Sequence, residues 1–243
     1  MAFQVPPLHY NPDMSEGLPG PVTDPNWPEI LSLSSHEVRS PVSVLAGYIR
    51  MLLQQRAGPL SDEQRRLLEA AERACGRLTT VLAELSELAR LESKAAPFNR
   101  STVDLPTVVR EAIAKSPGPH DRQIAITLSG IASVSVHGDA TRLRTSFGSL
   151  FDALRREVVN SEALGVRVES DGSIVRVTIA EPGRLDQLSK LAASALVTFD
   201  EWKRGGTGLS LPNARRVIEA HGGRLLSPAD YGKACAIVLL PVR

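Results

Sequence analysis

The chain has 243 residues, of which 42% are hydrophobic but only 4% aromatic, and its formal net charge at pH 7 is +1. Because 28 basic residues nearly balance 27 acidic ones, the composition argues against nucleic acid or an anionic membrane surface as a partner. No segment has the roughly 18 uninterrupted apolar residues that a membrane span needs, and the N-terminus lacks the basic start and apolar core of a signal peptide. We therefore expect a cytoplasmic location and one large domain or two modest ones.

The first part of the chain divides into an arm and a helical hairpin. Residues 1–25 contain six prolines, a density that forbids a helix and predicts a flexible or extended arm. Across residues 26–93, apolar residues at helical spacing predict one helix over Trp27–Gln55 and a second that Ser61 caps and that ends near Leu91. The second helix repeats its apolar residues in the steps of three and four that form a coiled-coil seam. We expect a second copy of the chain to cover this apolar stripe and complete a four-helix bundle.

Beyond the hairpin, residues 94–103 predict a linker, and residues 104–243 alternate between helical and strand patterns. Helices are predicted there at Asp104–Lys115, Ala140–Val159, Leu185–Thr198 and Leu209–Ala220. Strands are predicted at Gln123–Leu128, Ser133–Val136, Val166–Glu169, Ile174–Ala180, Arg224–Leu226 and Ala234–Pro241. This order predicts an α/β sandwich with helices on one face of a mixed sheet, so that the chain as a whole is α+β.

The first chemical motif lies on the first helix, where His36 is followed by Glu37, Arg39, Ser40 and Pro41. Pro41 removes a main-chain hydrogen bond inside the helix and loosens the turn that presents the imidazole. Glu37 can accept a proton from His36, which makes the other ring nitrogen a better nucleophile toward a phosphoryl group. Arg39 can balance the negative charge of that group. The alternative is a solvated histidine–glutamate pair with no chemical role.

The run around this motif, SLSSHEVRSPVSVLAGYIRMLL, resembles the histidine box of sensor histidine kinases, usually written SHELRTPL with a following Gly-Tyr. The resemblance implies that His36 is phosphorylated by ATP and passes the phosphate to an aspartate of a response regulator. Ser40 stands where the family usually has threonine or asparagine, a position implicated in dephosphorylation of the regulator. The Ser40 hydroxyl is able to orient a water molecule for that reaction.

The second motif is a glycine run, Gly205–Gly208, directly before a predicted helix. Main-chain N–H groups and the helix dipole can meet a phosphate at such a place, although a glycine run alone usually marks a flexible turn. Together with the later EAHGG, the segment is similar to the second glycine box of the family's ATP-binding domain. The resemblance implies nucleotide contacts from Gly206, Thr207, Gly208 and Leu209.

Two further segments resemble family boxes with substitutions. Asp152 takes the place of the family's Mg²⁺-binding asparagine; a carboxylate is a competent magnesium ligand, and the alternative is a solvated helix residue. Glu181 takes the place of the aspartate that binds the adenine amino group, and Gly183 keeps the first glycine of that box. Leu185 replaces the second glycine, where we expect its side chain to narrow the turn and intrude on the nucleotide.

The segment FDEWKR at Phe199–Arg204 resembles the phenylalanine box of the same family, with Lys203 and Arg204 as candidate phosphate contacts. Only this short stretch precedes the glycine run, whereas the family normally has a longer mobile lid there. A shortened lid is expected to leave the phosphates exposed to water and to weaken the electrostatics of phosphoryl transfer.

The boxes together predict a dimeric histidine kinase of a two-component system, in which ATP and Mg²⁺ bind the second domain and the γ-phosphoryl group moves to His36. The expected partners are a response regulator receiver domain and a second copy of the chain. Two alternatives stay open: a histidine phosphotransferase or adaptor that relays phosphate without ATP, and a scaffold that only docks a regulator. The intact glycine run favours the kinase, because a pure relay has little use for it.

Overall fold

The computed structural model describes residues 26–116, 124–158, 163–200, 208–229 and 234–243. The α-helices are α1 (Trp27–Leu53), α2 (Asp62–Glu92), α3 (Leu105–Lys115), α4 (Ala140–Glu157), α5 (Leu185–Ser189) and α6 (Ser210–Ala220). The strands are β1 (Ser101–Asp104), β2 (Ala125–Gly130), β3 (Ser135–Gly138), β4 (Ala163–Ser170), β5 (Ile174–Ala180), β6 (Leu196–Thr198), β7 (Arg224–Pro228) and β8 (Cys235–Pro241). Within the described ranges, no helix is both long enough and apolar enough to cross a membrane. The predicted arm at residues 1–25 lies outside them.

Helices α1 and α2 form the predicted hairpin. Ser35, near the start of α1, lies beside Ser86, near the end of α2, so the two helices run antiparallel. Ser61 begins α2 with a capping box, in which its Oγ accepts a hydrogen bond from the Gln64 N–H and the Gln64 side chain accepts one from the Ser61 N–H. Pro41 lies inside α1 without ending it.

The hairpin leaves much of its apolar surface uncovered in a single chain. Among the described residues, the large apolar side chains that are at least half exposed all lie on α1 or α2, and they are Trp27, Leu33, Val44, Leu45, Tyr48, Leu67 and Leu78. Apolar patches of this extent are uncommon on monomeric proteins and mark interaction surfaces. The hairpin of one chain therefore exposes apolar side chains that the predicted four-helix bundle would bury against a second copy.

The second half is built on a six-stranded mixed sheet in the order β2-β4-β5-β8-β7-β6. Strands β2 and β4 are parallel, and the other neighbours are antiparallel. Strand β1 pairs with β3 in a separate two-stranded sheet, although the sequence pattern had placed most of Ser101–Asp104 in a linker. Asp104 ends β1 and caps α3 by accepting a hydrogen bond from the Thr107 N–H.

Helices α3, α4 and α6 cover one face of the six-stranded sheet and bury the main core. Phe147, Phe151 and Leu150 of α4 are fully buried there against sheet residues such as Val177 and Val238. Because aromatic residues are scarce, the rest of this core is aliphatic apart from Phe199. The predicted sandwich with helices on one face is therefore confirmed for the three longer helices.

The predicted helix over Leu185–Thr198 is wrong, because only Leu185–Ser189 is α-helical and Leu196–Thr198 is an edge strand paired with β7. The Arg176 guanidinium of β5 donates hydrogen bonds to main-chain carbonyls at and just beyond the end of α5, at distances of 2.9 to 3.5 Å. These bonds satisfy main-chain carbonyls that would accept hydrogen bonds from within the helix if α5 were longer. Helix α5 packs on the face of the sheet opposite α3, α4 and α6, because Leu185 contacts Ala180 and Cys235.

Candidate functional site

His36 lies on the outer surface of α1 with 81% of its side chain exposed. Its Nδ1 is 4.0 Å from Oε1 of Glu37, whose side chain is 74% exposed. This distance is longer than a hydrogen bond, so the predicted proton transfer requires a small side-chain rotation. The exposed imidazole of His36 is accessible to a reaction partner.

Hydrogen bonds that involve serine hydroxyl groups connect the helical turn that carries His36 to α2. Ser35 is fully buried, and its Oγ lies 2.8 Å from Oγ of Ser86. Arg39 also reaches across the hairpin and donates a hydrogen bond to Ser86 Oγ at 3.0 Å. His36 and Ser40 are four positions apart, so they share one exposed face of α1. The structure thus places His36, Arg39 and Ser40 on one short stretch of helix with a fixed position against α2.

The start of α6 is the second predicted site, and Gly208 and Leu209 are its described residues. Gly208 has a φ of +63°, a left-handed conformation that glycine adopts at little cost. Leu209 donates its main-chain N–H to Oε2 of Glu84, a residue of α2, at 2.8 Å. A Cβ atom on Gly208 would collide with the same carboxylate oxygen. The start of α6 therefore already holds an anionic oxygen.

Further contacts hold the second half of the chain against α2. Asn213 of α6 donates from Nδ2 to the Glu84 carbonyl oxygen at 2.9 Å, and Arg216 Nε lies 2.5 Å from Oε1 of Glu92. Arg142 of α4 forms an ion pair with Glu87 of α2. Between these contacts lies a cavity of about 310 Å³ that is lined by side chains of α2, α4 and α6.

Asp152, the predicted magnesium ligand, lies exposed on α4. Its Oδ1 accepts a hydrogen bond of 2.5 Å from Ser116 Oγ, and Arg155 donates to the Ser116 carbonyl at 2.7 Å. Burial lowers the pKa of Arg155, and the charge of Asp152 opposes that shift. Among the described residues, no three histidine, cysteine, aspartate or glutamate side chains come together as a metal site. Asp152 would therefore supply a single carboxylate to a magnesium ion. Such an ion usually completes its coordination with phosphate oxygens of the nucleotide and with water.

The predicted adenine turn follows β5. Glu181 is partly buried at its start, and a Cβ atom on Gly183 would meet nothing within 4 Å. Leu185 is buried on the sheet face opposite α4 and α6, with Ala180, Leu188 and Cys235. The expectation that Leu185 intrudes on the nucleotide is therefore wrong for a nucleotide bound at α4 and α6, because its side chain points to the other side of the sheet.

The remaining predicted contacts lie between β6 and α6. Phe199 is fully buried in the main core and donates its main-chain N–H to the Leu225 carbonyl. Lys203, Arg204, Gly206 and Thr207 lie outside the described residues, as does most of the predicted short lid.

Sequence reasoning did not identify Glu84 or His221 as site residues. His221 Nε2 accepts a hydrogen bond from the Asp139 N–H at 2.9 Å, and Nδ1 lies 2.7 Å from the Val217 carbonyl. The signal for His221 was its place in EAHGG, which supported only the resemblance to the second glycine box. No comparable local signal marks Glu84, because its partner Leu209 is 125 positions away along the chain.

Three comparisons place the chain among known proteins. The His Kinase A (phospho-acceptor) domain family matches residues 29–94, which include His36. The signal transduction histidine-protein kinase BaeS of Escherichia coli K12 is 28% identical over 221 residues, covering 86% of this chain and 45% of BaeS. Full-length ShkA in complex with AMPPNP has a similar structure, with a TM-score of 0.64, 24% identity and coverage of 88% of this chain and 45% of ShkA.

A complex of the histidine kinase ThkA with the response regulator protein TrrA has a TM-score of 0.51 with this chain at 19% identity, covering 90% of this chain and 63% of the ThkA chain. At these identities the structural likeness concerns the fold. The chain spans less than half the length of BaeS. Residues 29–94 match the phospho-acceptor domain family, and the helical hairpin followed by a mixed α/β sheet has the fold of these kinase structures, so the chain is similar to the core of a two-component histidine kinase with an ATPase-type second domain.

Proposed function

We propose that this chain autophosphorylates on His36 with ATP and transfers the phosphoryl group to an aspartate of a response regulator. The observation that carries the proposal is an exposed histidine inside a matched phospho-acceptor domain, on a helix turn held in place by Ser35 and Ser86. The relay and scaffold alternatives have no such specific observation in their favour.

The start of α6 supports nucleotide binding. Leu209 donates its main-chain N–H to the carboxylate of Glu84, which lies against Gly208, and a phosphate oxygen has the same requirement for donors at a helix N-terminus. ATP would supply the γ-phosphoryl group, and Mg²⁺ would neutralise charge on the phosphates. Asp152 offers one carboxylate to that ion, and we assign Gly206, Thr207, Lys203 and Arg204 to the phosphates from the sequence alone.

His36 supplies the nucleophile. A lone pair on one imidazole nitrogen forms the bond to the γ-phosphorus while the bond to the ADP oxygen breaks. The proton on the other ring nitrogen is adjacent to Glu37, which accepts it after a rotation that both exposed side chains are free to make. Arg39 is held by Ser86 and brings a positive charge to the same stretch of helix.

The partners follow from the surface of the hairpin. The apolar side chains exposed on α1 and α2 are those that a second copy would bury in a four-helix bundle. A receiver domain of a response regulator would reach His36 on the exposed surface of α1, and Ser40 on the same face would orient a water molecule near the transferred phosphate.

The test is incubation of the purified chain with γ-labelled ATP and Mg²⁺, next to a His36→Ala variant. We expect acid-labile label on the unaltered chain, at least about a hundredfold less on the variant, and transfer of the label to an added receiver domain. Absence of label on the unaltered chain contradicts the proposal. Label that arrives only from a phosphorylated regulator identifies the chain as a relay.

A further inference from the structure

The contact between Glu84 and α6 has a consequence for the proposed nucleotide site. Glu84 is a hairpin residue, yet its Oε2 accepts the Leu209 N–H at 2.8 Å, where the second half of the chain would hold a phosphate. The helix dipole favours negative charge at this end of α6. A carboxylate and a phosphate therefore compete for the same donor.

Glu84 lies close to Gly208, the described residue of the glycine run. A Cβ atom on Gly208 would collide with the Glu84 carboxylate, so a larger residue there would displace the carboxylate from its present position. An anionic phosphate at the same N–H group would meet this carboxylate at contact distance, where like charges repel strongly. The two anions cannot occupy the start of α6 together.

The competing carboxylate arrives as part of a larger docking surface. Asn213 binds the Glu84 carbonyl oxygen, Arg142 pairs with Glu87, and Arg216 pairs with Glu92. These contacts connect α4 and α6 to one side of α2, so Glu84 leaves the site when the second half of the chain moves away from α2.

We propose that Glu84 is an internal competitor of the nucleotide phosphates, which closes the start of α6 while the second half of the chain is docked on α2. Nucleotide binding then releases α6 from α2 and frees the second half to approach His36. The inference rests on the proposed function, because it takes the phosphates to bind at α6.

The coupling is reciprocal, since a ligand that binds only the undocked state must also weaken docking. The apparent affinity for a nucleotide is reduced by the fraction of molecules that are docked. Removal of the Glu84 carboxylate therefore strengthens nucleotide binding, although Glu84 is not a nucleotide contact.

The experiment measures the Kd of AMPPNP with Mg²⁺ by calorimetry for the unaltered chain, Glu84→Ala, Glu84→Gln and the control Glu72→Ala. Glu72 is an acidic residue of α2 that pairs with Arg50 within the hairpin at 3.7 Å. We expect Kd to fall about tenfold in Glu84→Ala, which removes a hydrogen bond to a charged group, to fall less in Glu84→Gln, and to stay unchanged in Glu72→Ala. Alanine is a strong helix former, so α2 is expected to persist in both alanine variants.

Hydrogen exchange provides a readout that does not depend on affinity. AMPPNP should increase deuterium uptake in peptides that cover Ala83–Glu87, and Glu84→Ala should show this increase without nucleotide. A Kd in Glu84→Ala equal to or higher than that of the unaltered chain overturns the inference and leaves the proposed function standing. AMPPNP binding by none of the variants overturns both.

Discussion

His221 shows how a single side chain connects elements of the second half of the chain. Its Nδ1 donates to the Val217 carbonyl of α6, its Nε2 accepts from the Asp139 N–H before α4, and its ring meets Phe98 edge-on at 5.3 Å. The neutral imidazole satisfies both bonds, whereas a proton on Nε2 would face the Asp139 N–H. Burial lowers the pKa of His221, and the nearby charge of Arg100 acts in the same direction.

This arrangement predicts a loss of stability in mild acid. Because the pKa of His221 in the folded chain lies below the value of about 6.5 for an exposed histidine, the unfolded chain takes up the proton first as the pH falls. The stabilising contribution is therefore complete above about pH 6.5 and decreases as the pH falls below it, toward the lowered pKa of the folded chain. Urea denaturation at pH 8 and pH 5.5 measures the change.

His221→Gln should unfold at lower urea concentration at both pH values and should lose much of this pH dependence. The matched control is His137→Gln, since His137 is exposed on β3, and it should keep the pH dependence of the unaltered chain. An undiminished pH dependence in His221→Gln would show that another group is responsible.

Residue roles at the site were predictable to different degrees. The motif with His36, Glu37, Arg39 and Ser40 is contiguous, so the sequence alone places these side chains on one helix. The contact of Glu84 with Leu209 depends on how the two halves dock, and no local pattern encodes it. The expectation about Leu185 was wrong for a similar reason. The direction of its side chain is set by packing against a strand that is distant in the sequence.

At the scale of elements, the start of α6 depends on one backbone conformation. Gly208 has a φ of +63°, and a Cβ atom there would also collide with the Glu84 carboxylate. Gly208→Ala should reduce the free energy of unfolding by about 1–2 kcal/mol, the cost of a left-handed alanine, as measured by urea denaturation. Gly183→Ala is the matched control and should have the stability of the unaltered chain, because its φ is not positive and a Cβ there meets nothing within 4 Å. Equal stability of the two variants would contradict this view of Gly208.

Element prediction succeeded where the periodic pattern was long. Helices α1, α2, α4 and α6 begin and end within two residues of the predicted positions, and β5 matches fully. Strands β2 and β3 start two residues later than predicted, and β1 was missed because four residues carry little periodicity. The predicted helix over Leu185–Thr198 was wrong because of a tertiary contact. The Arg176 guanidinium donates hydrogen bonds to main-chain carbonyls at the end of α5 and just beyond it.

At the scale of the whole molecule, the exposed apolar face of the hairpin predicts assembly. Leu45 is 56% exposed on α1, and a glutamate there would place a charge inside the proposed bundle. Leu45→Glu should convert a dimer into a monomer of about 26 kDa, measured by light scattering after gel filtration. The control Ile131→Glu changes an exposed apolar residue between β2 and β3 and should remain dimeric. A monomeric unaltered chain would refute the assembly.

The two-part architecture was predictable from sequence, because a coiled-coil pattern gives way to alternating helices and strands near residue 100. The relative placement of the parts was not predictable. It depends on ion pairs such as Arg142–Glu87 and Arg216–Glu92, which join residues from distant parts of the chain. Charged residues on a helix surface are usually solvated, so their sequence carries no sign of such pairing.

The exposure of His36 also bears on how long a phosphate could persist there. With 81% of the side chain in solvent, no protein wall would shield a phosphorus–nitrogen bond from bulk water. The lifetime of the modified side chain would then be governed by the spontaneous hydrolysis of phosphohistidine rather than by a protective pocket. In the proposed transfer, the same openness would let a receiver accept the phosphate without any rearrangement of the hairpin, so signal output would depend on how quickly the receiver arrives compared with water.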